Sequence, residues 1–214
     1  MPAIYADRRA AGNQLAQHLQ SFISDTTALI LALPRGGVPV GYELARQLQL
    51  PLDVFLVRKL GVPGHEELAM GAIASGGVRV LNQKVVRSLE IPDEVVDSVA
   101  REEQEELNRR GRLYRAGRPA PDLRGKTVIL VDDGLATGST MRVAVAAVRQ
   151  AGAGRILVAI PVAPSDTCER LAREADSVVC PVCPQHFHSV GEWYADFSQT
   201  TDDEVNSLLT AAAV

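Results

Sequence analysis

Residues 128 to 140, Val-Ile-Leu-Val-Asp-Asp-Gly-Leu-Ala-Thr-Gly-Ser-Thr, combine two kinds of chemistry in one register. Asp132 and Asp133 are adjacent carboxylates at the end of an apolar, β-branched run. Ala136, Thr137, Gly138, Ser139 and Thr140 form a loop of small and hydroxyl residues, and Met141 is expected to open a helix. A small-residue loop running into a helix N-terminus offers unpaired N–H groups to an anion. Gly138 lets a phosphate come close, and the three hydroxyls add donors. Carboxylates repel phosphate, so the acid pair must face another part of the same ligand. Vicinal sugar hydroxyls or a Mg²⁺ ion are its natural partners. The ligand implied is a sugar phosphate. An ordinary helix start capped by Ser139 or Thr140 is the plainer alternative. A dinucleotide site fits less well because no Gly-x-Gly-x-x-Gly occurs, and the lack of Gly-Lys-Ser/Thr argues against a P-loop.

Cations stand at two further strand ends. Thr27 to Leu33 reads as a strand ending in Pro34-Arg35-Gly36-Gly37, followed by a helix carrying Val40, Leu44 and Leu48. Arg35 could pair with a diphosphate while Gly36 and Gly37 permit close backbone approach. Leu52 to Val57 reads as the next strand, with Arg58 and Lys59 after it. Their plainer roles are a solvated turn and a surface salt bridge.

The elements that position these residues alternate along the chain. Residues 7 to 22 have helical periodicity, with Ala11, Leu15, Leu19 and Phe22 on one face. Val62 to Ala69 reads as a polar loop with His65, Glu66 and Glu67 as candidate acid–base groups, and Met70 to Ala74 and Val78 to Leu81 as a hairpin. Residues 84 to 117 read as a helical insertion with a narrow apolar stripe, packed on the core or on a partner subunit. Glu105–Arg109 and Glu106–Arg110 are its favourable i,i+4 pairs. Val143, Ala146 and Ala147 are expected to bury one face of the helix after the phosphate loop, which Gly152 or Gly154 ends. Strands follow at 155–160 and 177–182, with Ser165 capping the helix between them. Thr201 is expected to cap a closing helix that buries Val205, Leu208 and Leu209. The alternation argues for an α/β domain with a mostly parallel sheet and helices on both faces.

Cys180, Cys183, His186 and His188 have the ligand types of a zinc site but lie in one short stretch, whereas closed zinc sites draw on two separated knuckles. Cys180 is expected to point into the core. Phe187, Trp193, Tyr194 and Phe197 follow the last core strand and could stack on a ring or simply pack together.

At 214 residues and 46% hydrophobic composition, the chain is expected to be one domain with a real core. A net charge of −4 argues against a nucleic-acid partner. No apolar run approaches the roughly 18 residues of a membrane span. The N-terminus lacks the apolar stretch of a signal peptide, and the cysteine usage suits a reducing cytoplasm.

The stretch 128–140 resembles the phosphoribosyl-diphosphate (PRPP) motif of type I phosphoribosyltransferases: apolar strand, acidic pair, two further residues, then a Thr-Gly phosphate loop. Arg35-Gly36-Gly37 is similar to the pyrophosphate loop of the xanthine-type members. The resemblance covers roughly residues 24 to 200. It implies a Mg²⁺-dependent transfer of the 5-phosphoribosyl group from PRPP to a nitrogen nucleophile, a nucleobase, with release of pyrophosphate. It assigns the ribose hydroxyls to Asp132 and Asp133, with Mg²⁺ nearby. The 5′-phosphate falls to residues 136–140, and the diphosphate to Arg35, Gly36 and Gly37 with Arg58 and Lys59. It implies a mobile loop and hairpin at 61–82, and a hood at 185–200 in which Phe187, Trp193 and Tyr194 meet the base. Homo-oligomers are compatible with it. Hypoxanthine–guanine members carry an Asp where this chain has Ala136, which is similar to adenine-type members, so the acceptor stays open. A regulatory protein that binds PRPP without turnover is the alternative, and would be expected to add a basic surface. A sugar-phosphate hydrolase would need a positioned water and base, and the sequence names none.

Overall fold

The structure, a computed structural model, describes residues 4–22 and 27–212. Residues at 1–3, 23–26 and 213–214, where parts of the N-terminal reading and the start of the resembling region fall, lie outside the described residues. Five parallel strands form the central sheet, in the order β2 (Leu52–Val54), β1 (Leu29–Ala32), β6 (Thr127–Val131), β7 (Arg155–Ala159) and β8 (Ser177–Val179). Alternate residues of the inner strands enter opposite cores. Ile30, Ala32, Ile129 and Val131 pack with helices α1 (Arg8–Leu19) and α2 (Gly37–Leu48), while Leu29, Leu31, Val128 and Leu130 pack with α5 (Ser139–Gln150). Burial on both faces is why these strands are continuously apolar.

The chain order of the five strands reverses direction between β1 and β6. This is the topological switch point, the place where open α/β sheets leave a crevice beyond the carboxyl ends of their strands. Ala32 pairs with Val131, and the Leu33 N–H donates to the Val131 carbonyl at 2.8 Å, so the two strands end level.

A second, antiparallel sheet joins β3 (Val57–Val62), β4 (His65–Ala74) and β5 (Val78–Leu81). It corrects two expectations. Arg58 and Lys59 lie inside β3, not after a strand, because the first strand stops at Val54 and the chain re-enters extended structure at Val57. Val62 to Ala69 is a strand end, a turn and a new strand. Gly64, at φ +78°, allows the tight reversal, and Val62 pairs with His65. His65, Glu66 and Glu67 stand exposed on this ribbon. The β4–β5 hairpin is as read from sequence.

The helical segment is α3 (Gln83–Ser88) and α4 (Asp93–Arg115). Val96, Ala100, Leu107 and Tyr114 of α4 are buried in the first core, so this helix packs on its own chain. Glu106 takes both Arg109, at 2.7 Å, and Arg110, at 2.8 Å, and these two arginines depress its carboxyl to about 2. The expected Glu105–Arg109 pair therefore loses its arginine. Arg115 anchors the helix end, with Nε 2.9 Å from Asp53 Oδ2 and Nη2 donating to the Val54 carbonyl.

Smaller corrections follow from packing. Phe22 is 39% exposed because the chain leaves the α-helix at Gln20 for a 3₁₀ turn. The buried stripe of α5 is Met141, Ala144, Val145, Ala147 and Val148, with Val143 and Ala146 at its margin, because that is the face that packs on the second core, and the helix starts two residues earlier than read. Ser165 does not cap α6 (Ser165–Leu171); its hydroxyl donates to the Cys183 carbonyl at 3.3 Å. Thr201 does cap α7 (Asp202–Ala211), accepting from the Glu204 N–H at 3.1 Å. No helix among the described residues is long and apolar enough to cross a membrane.

Candidate functional site at the sheet switch point

The crevice between the ends of β1 and β6 brings the predicted groups together. Asp132 and Asp133 leave β6 half-buried. Burial first, and then the charge of Asp133, pushes the Asp132 carboxyl well above its ordinary range. Burial likewise raises Asp133, opposed by its hydrogen bond to Arg8. Asp132 Oδ1 accepts from the Asp133 N–H at 2.9 Å.

The turn after β1 presses its backbone onto this acid pair. A Cβ at Gly36 would lie 2.0 Å from Asp133 Oδ2, and one at Gly37 would lie 2.7 Å from the Val131 carbonyl oxygen. No side chain fits at either place, so Arg35-Gly36-Gly37 and the acid pair form one surface. The Pro34–Arg35 peptide bond is cis. Arg35 makes no ion pair among the described residues.

The loop at 136–140 is open. Ala136, Thr137, Ser139 and Thr140 are exposed, whereas Gly138 is buried with φ +69°. That left-handed conformation and a 2.8 Å approach of a would-be Cβ to Thr167 Cγ2 both require glycine. The Thr167 hydroxyl donates to the Ala136 carbonyl at 2.9 Å and holds the loop from below. The first-turn N–H groups of α5 lack intrahelical acceptors, so the loop and helix together form an anion cradle. The plainer alternative, a cap by Ser139 or Thr140, does not form: Gly138 occupies the N-cap position of α5, and the Ser139 N–H donates to the Thr137 hydroxyl at 3.4 Å.

Two cations approach from the antiparallel sheet. Arg58 is tethered to Glu103 of α4, and a small cleft lined by Pro34, Arg58, Arg110 and Thr140 links β3 to both loops. Lys59 is exposed and without an ion pair among the described residues.

Three contributors escaped the sequence reading. Arg8, the first residue of α1, places Nε 2.7 Å from Asp133 Oδ2 and its guanidinium carbon 3.9 Å from the Phe197 ring centre. Thr167 supports the loop at 136–140, and Arg110 reaches the cleft. Arg8 and Thr167 act on partners distant in sequence, and Arg110 reads locally only as a partner of Glu106, so none leaves a local signal.

The aromatic segment is corrected. Trp193 and Tyr194 are only 8% and 5% exposed and pack with Tyr5 in a third apolar cluster. Their rings build a wall and offer no open stacking face. Tyr194 donates its hydroxyl to the Asp133 carbonyl, and burial, then the nearby Asp133 charge, raises its phenol. Phe187 lies half-buried and stacked on Trp193, with ring centres 6.3 Å apart.

Comparison with known proteins agrees with this geometry. Residues 64–196 match the family model described as "Phosphoribosyl transferase domain". A Mycobacterium tuberculosis protein named "Putative phosphoribosyl transferase Rv0571c" is 47% identical over 209 residues, covering 98% of this chain and 47% of that protein. The chain thus spans about half the length of the curated relatives it matches. The crystal structure of TT1426 from Thermus thermophilus superposes with a TM-score of 0.86 at 41% identity, covering 97% of this chain and 98% of the other. The AQ2163 protein of Aquifex aeolicus shares the fold at 11% identity and a TM-score of 0.51, covering 88% of this chain and 85% of its own. With its acid pair, anion cradle and Arg-Gly-Gly turn meeting at one switch point, the chain belongs to the phosphoribosyl transferase domain family.

Proposed function

We propose that this domain transfers the 5-phosphoribosyl group of PRPP to a nitrogen of a nucleobase, releasing pyrophosphate, with Mg²⁺ as cofactor. The observation that carries the reading is the convergence of three complementary surfaces at the ends of β1 and β6. The loop at 136–140 and the α5 N-terminus suit the dianionic 5′-phosphate. Asp132 and Asp133 suit the ribose hydroxyls. Arg35, the glycine backbone at 36–37, and Arg58 and Lys59 suit the diphosphate.

The donor set also fits the metal. Of two half-buried carboxylates, only Asp133 has a cation partner among the described residues, and that partner is Arg8. A hard, oxygen-seeking ion or hydroxyl donors would relieve the remaining charge. Mg²⁺, when bound with the diphosphate, supplies charge neutralisation of the leaving group.

The chain's own groups then act in a simple division. The phosphate cradle and the Arg-Gly-Gly turn hold the two ends of PRPP, so that the anomeric carbon is fixed between them. As the C–O bond to the diphosphate breaks, positive charge grows on the ribose ring. The carboxylates, hydrogen-bonded to the ring hydroxyls, stabilise that charge. Cations on the leaving side accept the growing negative charge of pyrophosphate. A base nitrogen bonds to the anomeric carbon as the C–O bond breaks, and its proton passes to water, the departing pyrophosphate keeping the electron pair of the broken bond. Ala136 brings no carboxylate to that proton, which is compatible with adenine-type acceptors.

Calorimetric titration of PRPP with Mg²⁺ tests the reading. Micromolar binding that disappears in Asp132→Asn/Asp133→Asn supports it, and a nucleobase screen for pyrophosphate release then finds the acceptor. Absence of binding to folded wild type would sink it.

A further inference from the structure

The chain has three cysteines, and all of them meet at one place. Cys168 comes from α6, and Cys180 and Cys183 come from the segment after β8. Their sulfur atoms all lie within 4.8 Å of one another, and Cys168 Sγ and Cys183 Sγ are 3.5 Å apart. None forms a disulfide. The second knuckle missing from the Cys180–Cys183 stretch is thus supplied by α6, from a residue 12 positions earlier in the chain. His186 and His188 do not join the group among the described residues.

We propose that Cys168, Cys180 and Cys183 bind a thiophilic d¹⁰ cation, with Zn²⁺ as the reference ion. Sulfurs sharing one tetrahedral zinc at about 2.3 Å stand about 3.8 Å from each other, close to the spacing already present. Thiolates select soft or borderline ions over Mg²⁺. A disulfide would use two of the sulfurs and leave no reason for the third to stand within reach of both. Cys168 and Cys180 are partly covered while Cys183 is exposed, so the fourth coordination position opens toward solvent, where water or an external ligand completes the shell.

The site adjoins the phosphate loop without being part of it. Thr167, next to Cys168, holds the Ala136 carbonyl and fills the space beside Gly138. Ser165 of the same helix bonds the Cys183 carbonyl. An ion on the three sulfurs would fasten α6 to the segment after β8 and so brace the floor of the anion cradle. This placement does not depend on which reaction the cradle serves.

The test is an anaerobic titration of the reduced full chain with Co²⁺, read by absorption. A sulfur-to-cobalt charge-transfer band that saturates at one equivalent and is bleached by Zn²⁺ is expected. The band should be lost in Cys168→Ser and in Cys183→Ser, the latter at an exposed position where folding is not at risk. Circular dichroism confirms that both variants are folded. Lack of a band in wild type overturns the proposal, as does a band that persists unchanged in both variants. Rapid loss of two thiols to a disulfide when the reduced chain is exposed to oxidised glutathione as the two-electron oxidant, with no cobalt band under anaerobic conditions, overturns it in favour of a redox pair.

Discussion

At Asp132 the charge is opposed twice, by burial and by the carboxylate of Asp133. Both carboxyls keep their protons to higher pH in the folded chain than in the unfolded one, where the ordinary value is 3.8. Below that value the pair is neutral in both states and costs nothing. As pH rises from that value towards the raised folded values, the unfolded chain ionises first while the folded pair holds its protons, so ligand-free stability falls over this window and levels off above it. Asp132→Asn keeps the oxygen that accepts from the Asp133 N–H and removes the repulsion. It should raise ligand-free stability at neutral pH by about 1–2 kcal/mol and flatten the pH dependence, while abolishing PRPP binding. Urea unfolding at several pH values checks this; an unchanged slope would mean that the pair is not strained. Gly138→Ala tests the cradle. The positive φ and the contact with Thr167 should together cost about 1–3 kcal/mol and weaken phosphate binding, both measurable by thermal shift with and without phosphate.

Helix α4 is the element that fastens the antiparallel sheet to the parallel one. Its Glu103 holds Arg58 of β3, and its Arg115 is buried against Asp53 and the Val54 carbonyl of β2. Arg115→Ala leaves Asp53 without its cation and should destabilise by about 3 kcal/mol in denaturant unfolding. Lys59 behaves differently because it is exposed and unpaired among the described residues. Lys59→Ala should change stability by less than about 0.5 kcal/mol. It should nonetheless weaken PRPP affinity about tenfold, equivalent to about 1.4 kcal/mol. Unaltered affinity would remove Lys59 from the proposed diphosphate site.

Across the whole molecule, the two ends of the chain cross at the site. The Tyr5 N–H bonds the Trp193 carbonyl, and the Ala195 N–H bonds the Tyr5 carbonyl. Tyr5 donates to the Pro161 carbonyl, and burial lifts its phenol to about 12. Arg8 then spans from Asp133 to the Ser198 carbonyl. Removing it by Arg8→Ala should cost about 2 kcal/mol and increase hydrogen exchange in both end segments together, because they share one anchor. Exchange confined to the N-terminal segment would show that the anchor is not shared.

Much of this protein could be read directly from local pattern. Val128 to Val131 specify a buried strand because both faces need apolar side chains. The order acid pair, Gly134, Thr137-Gly138 singles out the candidate site at its end, because strand, carboxylates and helix start are contiguous in the chain. Arg35-Gly36-Gly37 could be singled out, though not why both glycines are required. That depends on Asp133 and Val131, about a hundred residues away, lying inside van der Waals contact of where a side chain would begin. The same limit explains the misplaced loop at 62–69, where pairing across a Pro63-Gly64 turn overrides polar composition. It also explains the covered faces of Trp193 and Tyr194. Arg8 on Asp133, Thr167 under Ala136 and the meeting of three cysteines are decided by tertiary structure alone. Contacts between distant segments leave no periodicity or spacing for a sequence to display, and only the packing of α1, α6 and the segment after β8 onto one sheet brings them into range.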